Sequence, residues 1–255
     1  MSDRILSLQK VTKNFNGVRA LDSVDFIVEK RQIHGLIGPN GSGKTTVLNV
    51  VTGIFPADKG KIIYKSQEIN TLKSQDISKL GISRTFQGGL VVPTMTCLDN
   101  VITGAYSRTK TDLVGTYLRL PFRASTQEHL MKSQGRELLG LVGLSEYTDR
   151  WTNELMWIER QLLQIARALA AQPELLLLDE PTAGMGREES ERVMEIIRRV
   201  RDMGITIVLV SHDVKLVAAL SDRITVLNSG EKICEGPPEL VQRDPRVLEA
   251  YLGTD

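Results

Sequence analysis

The stretch GPNGSGKTT, from Gly38 to Thr46, constrains this chain more than any other part of it. It fits G-x-x-x-x-G-K-[ST], and it sits after a short apolar run, IHGLI, and before a helical one, TTVLNVV. Gly38, Gly41 and Gly43 let the backbone turn tightly with N–H groups pointing inward, and the following helix adds the positive end of its dipole. The segment Gly38, Pro39, Asn40, Gly41, Ser42, Gly43, Lys44, Thr45, Thr46 is therefore the expected cradle for a nucleoside triphosphate. Lys44 can reach the β- and γ-phosphates, and the Thr45 hydroxyl can ligate Mg²⁺. By itself the cradle says only "nucleoside triphosphate"; the competing reading is a glycine turn before a helix with no ligand.

A strand–loop–helix unit of this kind belongs to a parallel sheet. Later runs agree: LLLLDE and ITIVLVSHD are fully apolar strands, separated by a helical stretch over residues 188–203. Val193, Ile197 and Val200 share one face of that helix, and Gly204 stops it. Buried strands alternating with helices imply a mainly parallel sheet covered on both faces. ILSLQKVTKNF and ALDSVDFIVE instead alternate apolar and polar residues, as antiparallel strands do. RITVLNSGEKICEG predicts a hairpin turning at Asn228-Ser229-Gly230. From residue 88 to 170 helical periodicity dominates, as in EHLMKSQGRELLGLVGL, and Gly115 and Pro121 predict a bend between short helices. The expected fold is α/β: a P-loop core over 1–87 and 171–255 with an antiparallel β part, and an inserted helical subdomain over 88–170.

Two adjacent carboxylates, Asp179 and Glu180, close the LLLL strand. Burying charge is costly, so acids carried there by four leucines point to chemistry. Asp179 can orient Mg²⁺ or its bound water, and Glu180 can polarise an attacking water. The competing reading is an acidic loop start. His212 follows ITIVLVS. It is either a polar cap, or, if its strand neighbours LLLLDE, a group facing the γ-phosphate, because parallel strands of such sheets end together beside the ligand. His34 and His129 have no such context and are expected to be structural.

Composition narrows the partners. With Lys+Arg 32 against Asp+Glu 31, the net charge of +1 argues against a dedicated nucleic-acid binder. Cys97 and Cys234 lack metal-like spacing and read as reduced thiols of a cytosolic protein. MSDRILSLQK has no secretory apolar core, and no apolar run reaches the ~18 residues that span a bilayer.

Together these residues resemble the ATP-binding subunits of ABC transporters: GPNGSGKTT, then FQ, then LLLLDEP, then a histidine after an apolar strand. The resemblance covers essentially the whole chain. It implies ATP and Mg²⁺ as ligands, and makes Gln87 the glutamine that contacts Mg²⁺ and senses the membrane partner. Glu180 becomes the catalytic glutamate and His212 the switch histidine. Phe15 falls where the family stacks an aromatic ring on adenine, although a plain strand residue fits it as well. RTFQ, TGAYSRTKTDLVGTYLRLPFR, DEPTAGM, SHDVKLV, SDRITVLNSG and AYLG look like the importers of branched-chain amino acids and related solutes. That likeness implies permease subunits, an external solute-binding protein and a place on the cytoplasmic face of the membrane. The segment from Gly88 to about Gly104, with its apolar LVVPTM, is the expected permease contact.

The chain departs from the family where an LSGGQ-type signature should precede IARAL. Here the stretch is ELMWIERQLLQIARAL: Met156 replaces the serine, Ile158 the second glycine and Glu159 the glutamine. Met156 offers no hydroxyl donor, Ile158 adds bulk, and Glu159 is expected to bring negative charge towards a triphosphate. Gly186 is a second departure, where relatives carry Asn or Asp. Since the family places each ATP between one subunit's loop and the other's signature, a heterodimer with an intact paralogue is favoured over a homodimer. Two other functions compete: a regulatory module that binds ATP without efficient turnover, and a soluble ABC ATPase unconnected with transport.

Overall fold

The computed structural model describes residues 3–88, 90–106 and 121–252, with the backbone alone at 121–127 and 252. The described chain separates into two compact units, Met1–Arg84 with Glu174–Asp255, and Thr85–Pro173. The boundaries expected from sequence lie three residues further on at the first crossing and three earlier at the second.

The first unit holds two sheets. One is antiparallel, in the order β2-β1-β4-β5: β1 is Arg4–Phe15, β2 Val18–Glu29, β4 Lys59–Tyr64 and β5 Gln67–Glu68. Strands β1 and β2 form a hairpin closed by Asn16 and Gly17, whose φ angles of 46° and 88° match the right-handed twist of the strands. Their alternation puts Leu6 and Leu8, and Val24, Phe26 and Val28, into the core.

The second sheet is six-stranded, in the order β10-β9-β3-β8-β7-β6. Here β3 is Ile33–Ile37, β6 Ile82–Arg84, β7 Leu175–Asp179, β8 Thr206–Val210, β9 Arg223–Asn228 and β10 Glu231–Gly236. All pairings are parallel except the β9–β10 hairpin, which turns through Ser229 and Gly230 at φ 49° and 83°. Strands β3, β7 and β8 are buried at every residue, which explains their unbroken apolar sequences. Helices α1 (Lys44–Val51), α2 (Ser74–Lys79), α6 (Arg187–Asp202), α7 (Val214–Leu220), α8 (Pro238–Val241) and α9 (Pro245–Leu252) complete the unit. Helix α6 buries Val193, Ile196, Ile197 and Val200, and Gly204 follows it at φ 92°.

The second unit is helical: α3 (Cys97–Ala105), α4 (Pro121–Leu141) and α5 (Trp157–Ala170) pack on one another. Gly104 lets α3 approach α5 closely, since a Cβ there would lie 2.0 Å from the Arg167 carbonyl oxygen. The expected bend is only half visible: Gly115 lies outside the described residues, while Pro121 opens α4, where its missing N–H costs nothing. Both cysteines are free and buried. Among the described residues no helix is long and apolar enough to cross a membrane.

Candidate active site

Strand order explains how the site forms. Neighbouring strands β3, β8, β7 and β6 end on the same edge. From those ends the chain delivers, in turn, the glycine-rich loop, His212, Asp179 with Glu180, and Arg84.

The loop from Gly38 to Gly43 leads straight into α1, whose first residue is Lys44. Gly43 adopts φ 103°, and a Cβ there would lie 2.7 Å from the Ala20 carbonyl oxygen, so only glycine fits. Gly38 is equally confined, with the Leu227 carbonyl 2.1 Å from a Cβ position. Lys44 is buried, and its Nζ donates to the carbonyls of Gly38 at 2.7 Å and Pro39 at 2.9 Å. Burial lowers its pKa, and the charges of Glu180 and Asp179 oppose that fall. A lysine so placed is a cation aimed into the loop. Thr45 is exposed at the same helix end, and Thr46 half-buried.

Register sets the acids against the histidine. Asp179 pairs with Val210 across β7 and β8, and the Glu180 N–H donates to the Val210 carbonyl at 2.9 Å. The condition on which the reading of His212 rests, neighbouring strands, is thus met. Glu180 stands at φ 51°, a left-handed conformation uncommon for a non-glycine residue, of the kind that gathers at functional sites. That turn brings its Oε2 to 2.7 Å from the Nδ1 of the exposed His212. Asp179 is buried and its Oδ2 accepts from Arg84 at 2.7 Å. The site thus combines a lysine, two carboxylates and an imidazole. Hydroxyl and carboxylate oxygens are hard donors that suit Mg²⁺, which needs only one or two protein ligands beside phosphate oxygens.

Tyr251, on α9, was not singled out from sequence. Burial pushes its phenol up to about 12, with the Gly38 backbone amide opposing and the Glu180 charge adding. The C-terminal helix therefore reaches the phosphate loop. Phe15 packs edge-on against Phe55, ring centres 5.2 Å apart, with the Lys13 ammonium 5.3 Å from its own ring centre. His34 is structural in its surroundings: fully buried, stacked on Phe26 and bonded to the Thr225 hydroxyl at 2.9 Å.

Gln87 belongs to the second unit and is exposed. The neighbouring Phe86 N–H donates to the buried Gln164 of α5 at 3.0 Å. The expected apolar contact segment is not uniform. Leu90 is 62% exposed, whereas Val91, Val92 and Met95 are half-buried. Residue 89 lies outside the described residues. Val92 is held by Asn100, which accepts from its N–H and donates to its carbonyl.

The signature segment corrects two expectations. Glu159 does not project towards a ligand: it is 5% exposed, and its Oε2 accepts from the Met156 N–H at 2.8 Å, capping its own helix. A hydrogen bond to the same carboxylate holds the Tyr147 phenol above its usual pKa. Ile158 is likewise turned inward, at 7% exposure. The side chains that face out are Met156, 65% exposed, and Trp157, 42% exposed. Trp157 occupies the signature's first glycine position.

A six-stranded P-loop sheet with an antiparallel β part, an acid pair and histidine on its carboxyl edge, and a separate helical unit defines a nucleotide-hydrolysing cassette. The family model described as "ABC transporter" matches residues 21–183, and that of the "branched-chain amino acid ATP-binding cassette transporter" matches residues 231–255. The high-affinity branched-chain amino acid transport ATP-binding protein LivG of Escherichia coli (strain K12) is 37% identical over 255 residues, covering 99% of each chain. Among solved structures, the ADP conformation of an ATP-binding cassette of an ABC transporter matches with TM-score 0.86 and 30% identity, covering 98% of this chain and 99% of that one. A dimeric cassette in a post-hydrolysis state, bound to ADP and Pi, matches with TM-score 0.78 and 25% identity, over 92% of this chain and 99% of that one. The chain belongs to the ABC transporter ATP-binding family, and it is the nucleotide-binding, ATP-hydrolysing subunit of an ABC importer.

Proposed function

We propose that this chain hydrolyses MgATP on the cytoplasmic face of a membrane to drive import of branched-chain amino acids or closely related small solutes. The observation that carries the hydrolytic assignment is the 2.7 Å pairing of Glu180 with His212, at the strand edge that also supplies Lys44 and Asp179. Backbone N–H groups of the loop Gly38–Thr46 and the Lys44 ammonium hold the β- and γ-phosphates. Thr45, Asp179 and Gln87 hold Mg²⁺ directly or through water; bound there, the ion neutralises charge developing on the transferred phosphoryl group. Glu180 orients and polarises the attacking water, His212 contacts the γ-phosphate, and Phe15 stacks on adenine. The solute class rests on similarity to LivG and on the match at residues 231–255.

Permease subunits dock against the Gly88–Gly104 segment, and an external binding protein delivers the solute to them. A second ATP-binding subunit completes the ATPase, as in the dimeric cassette. The outward-facing Met156 and Trp157 favour an intact-signature paralogue over a second copy. The same two residues support a second reading, a regulatory subunit that binds ATP with little turnover. Reconstituting the permease with this chain and its partner ATPase separates the two. Leucine uptake and ATP hydrolysis that vanish with Glu180→Gln in this chain support the first; uptake and hydrolysis unaffected by that change support the second.

A further inference from the structure

Arg84 is the last residue of β6 and of the first unit's N-terminal segment, three residues before Gln87. Its side chain is 5% exposed, and that of its partner Asp179 is 2% exposed. The guanidinium works as a fork: one NH₂ group donates to Asp179 Oδ2 at 2.7 Å, the other to Asn49 Oδ1 at 2.6 Å. Asn49 lies on α1, the helix that begins at Lys44. One planar group therefore fastens the end of β7 to the helix that carries the phosphate loop.

Stability does not account for this arrangement. Taking two charges out of water costs about as much as their attraction returns, and well-packed apolar residues often do as well. A planar guanidinium anchored through one NH₂ to Asn49, however, aims its other NH₂ at Asp179 Oδ2 along a fixed direction, which a flexible ammonium cannot do. Partners of metal-binding side chains act in this manner, and their loss weakens metal binding by about 10–100-fold. We propose that Arg84 is a positioning residue: with Asn49, it holds the Asp179 carboxylate in the orientation that receives the Mg²⁺ of bound MgATP. This rests on the reading of Asp179 as the metal-binding acid.

The test uses the purified full-length chain, following binding of a fluorescent ATP analogue in EDTA and across a Mg²⁺ or Mn²⁺ titration, with Mn²⁺ also read by its EPR signal. Arg84→Lys keeps the charge and loses the fork. It is expected to raise the metal concentration for half-maximal nucleotide binding by about 10-fold while metal-free affinity stays within about twofold. Asn49→Leu, which leaves the ion pair in place, is expected to shift the metal titration in the same direction by less. Wild-type metal dependence in both folded variants overturns the proposal, as does an equal loss with and without metal, which marks a purely structural role. If Arg84→Lys does not fold, the Asn49→Leu titration decides alone. Asp179→Asn is the control: if it leaves the metal dependence unchanged, the metal-binding reading of Asp179 fails first.

Discussion

Glu180 accepts a hydrogen bond from His212 across 2.7 Å, although 32 residues separate them in sequence. With Nδ1 committed to the carboxylate, Nε2 is the ring nitrogen left to face a ligand, so each group orients the other. Glu180→Gln keeps an oxygen that can accept from Nδ1 but removes the base. ATP should remain bound while turnover in the assembled transporter falls by about 10²–10⁴-fold. His212→Ala should also slow turnover, and it additionally frees the glutamate side chain. Near-normal hydrolysis by either variant in a steady-state phosphate-release assay refutes that residue's role.

Lys44 is the cation nearest the loop carbonyls, with Gly38 and Pro39 both accepting from it. Hydrogen bonds to charged groups are worth about 1.5–3 kcal/mol, so Lys44→Ala should weaken ATP binding by about 10–100-fold. Calorimetry checks this. Unchanged affinity removes the phosphate-cradle assignment.

His34 makes stability depend on pH. Burial lowers its pKa from 6.5 to about 4, the largest cause being loss of solvent. Below about pH 6.5 the unfolded chain binds a proton that the folded chain refuses, so stability is full above that pH and declines towards pH 4. From this residue alone the loss between pH 7 and pH 5 should be about 2 kcal/mol. Urea denaturation of the wild type and of His34→Gln tests it: the variant should show a flatter pH dependence, whatever its stability at pH 7. Equal slopes would mean that another group governs acid unfolding.

Much of this fold was legible because short-range chemistry decides it. GPNGSGKTT needs its glycines at positive φ, LLLLDE needs burial on both faces, and Asn228-Ser229-Gly230 can only turn. Relationships that depend on strand order were not legible. Arg84 meets Asp179 because β6 lies beside β7, which no local pattern states. The signature was misjudged for another reason. The residue types of Met156, Ile158 and Glu159 suggest three groups facing a ligand, but helical phase turns Ile158 and Glu159 inward and leaves Met156 and the neighbouring Trp157 outside. Tyr251 belongs to the AYLG segment of the family likeness, but its place beside the phosphate loop is not legible until its helix is seen against Gly38.

The contact with the permease should centre on Leu90. It is 62% exposed, while Val91, Val92 and Met95 are half-buried and Val92 is fixed by Asn100 and by the Thr152 hydroxyl that donates to its carbonyl. A photo-crosslinker at residue 90 should capture a permease cytoplasmic loop more efficiently than one at Val92 or Met95. Absence of any crosslink from all three positions places the docking surface elsewhere.

The signature geometry predicts an asymmetric ATPase. In a homodimer, the Met156–Glu159 segment would face both nucleotides. Met156 carries no hydroxyl, and the Met156 N–H at the start of α5 is already taken by the Glu159 carboxylate at 2.8 Å. That carboxylate also offsets the positive end of the helix dipole, which otherwise attracts phosphate. Both sites would thus lack donors that stabilise the transferring phosphoryl group, and losing one such donor costs about 10²–10³ in rate. Paired with an intact-signature partner, this chain's Lys44, Glu180 and His212 would lie under good donors, and only the partner's ATP would face the poor segment. Purified alone, the chain should hydrolyse ATP slowly or not at all. In the heteromeric complex, Glu180→Gln in this subunit should abolish most turnover, while the equivalent change in the partner should cost far less. Met156→Ser combined with Trp157→Gly should then raise turnover by the isolated chain. Brisk cooperative hydrolysis by the unmodified homodimer would show instead that Met156 and Trp157 do not impede phosphate binding.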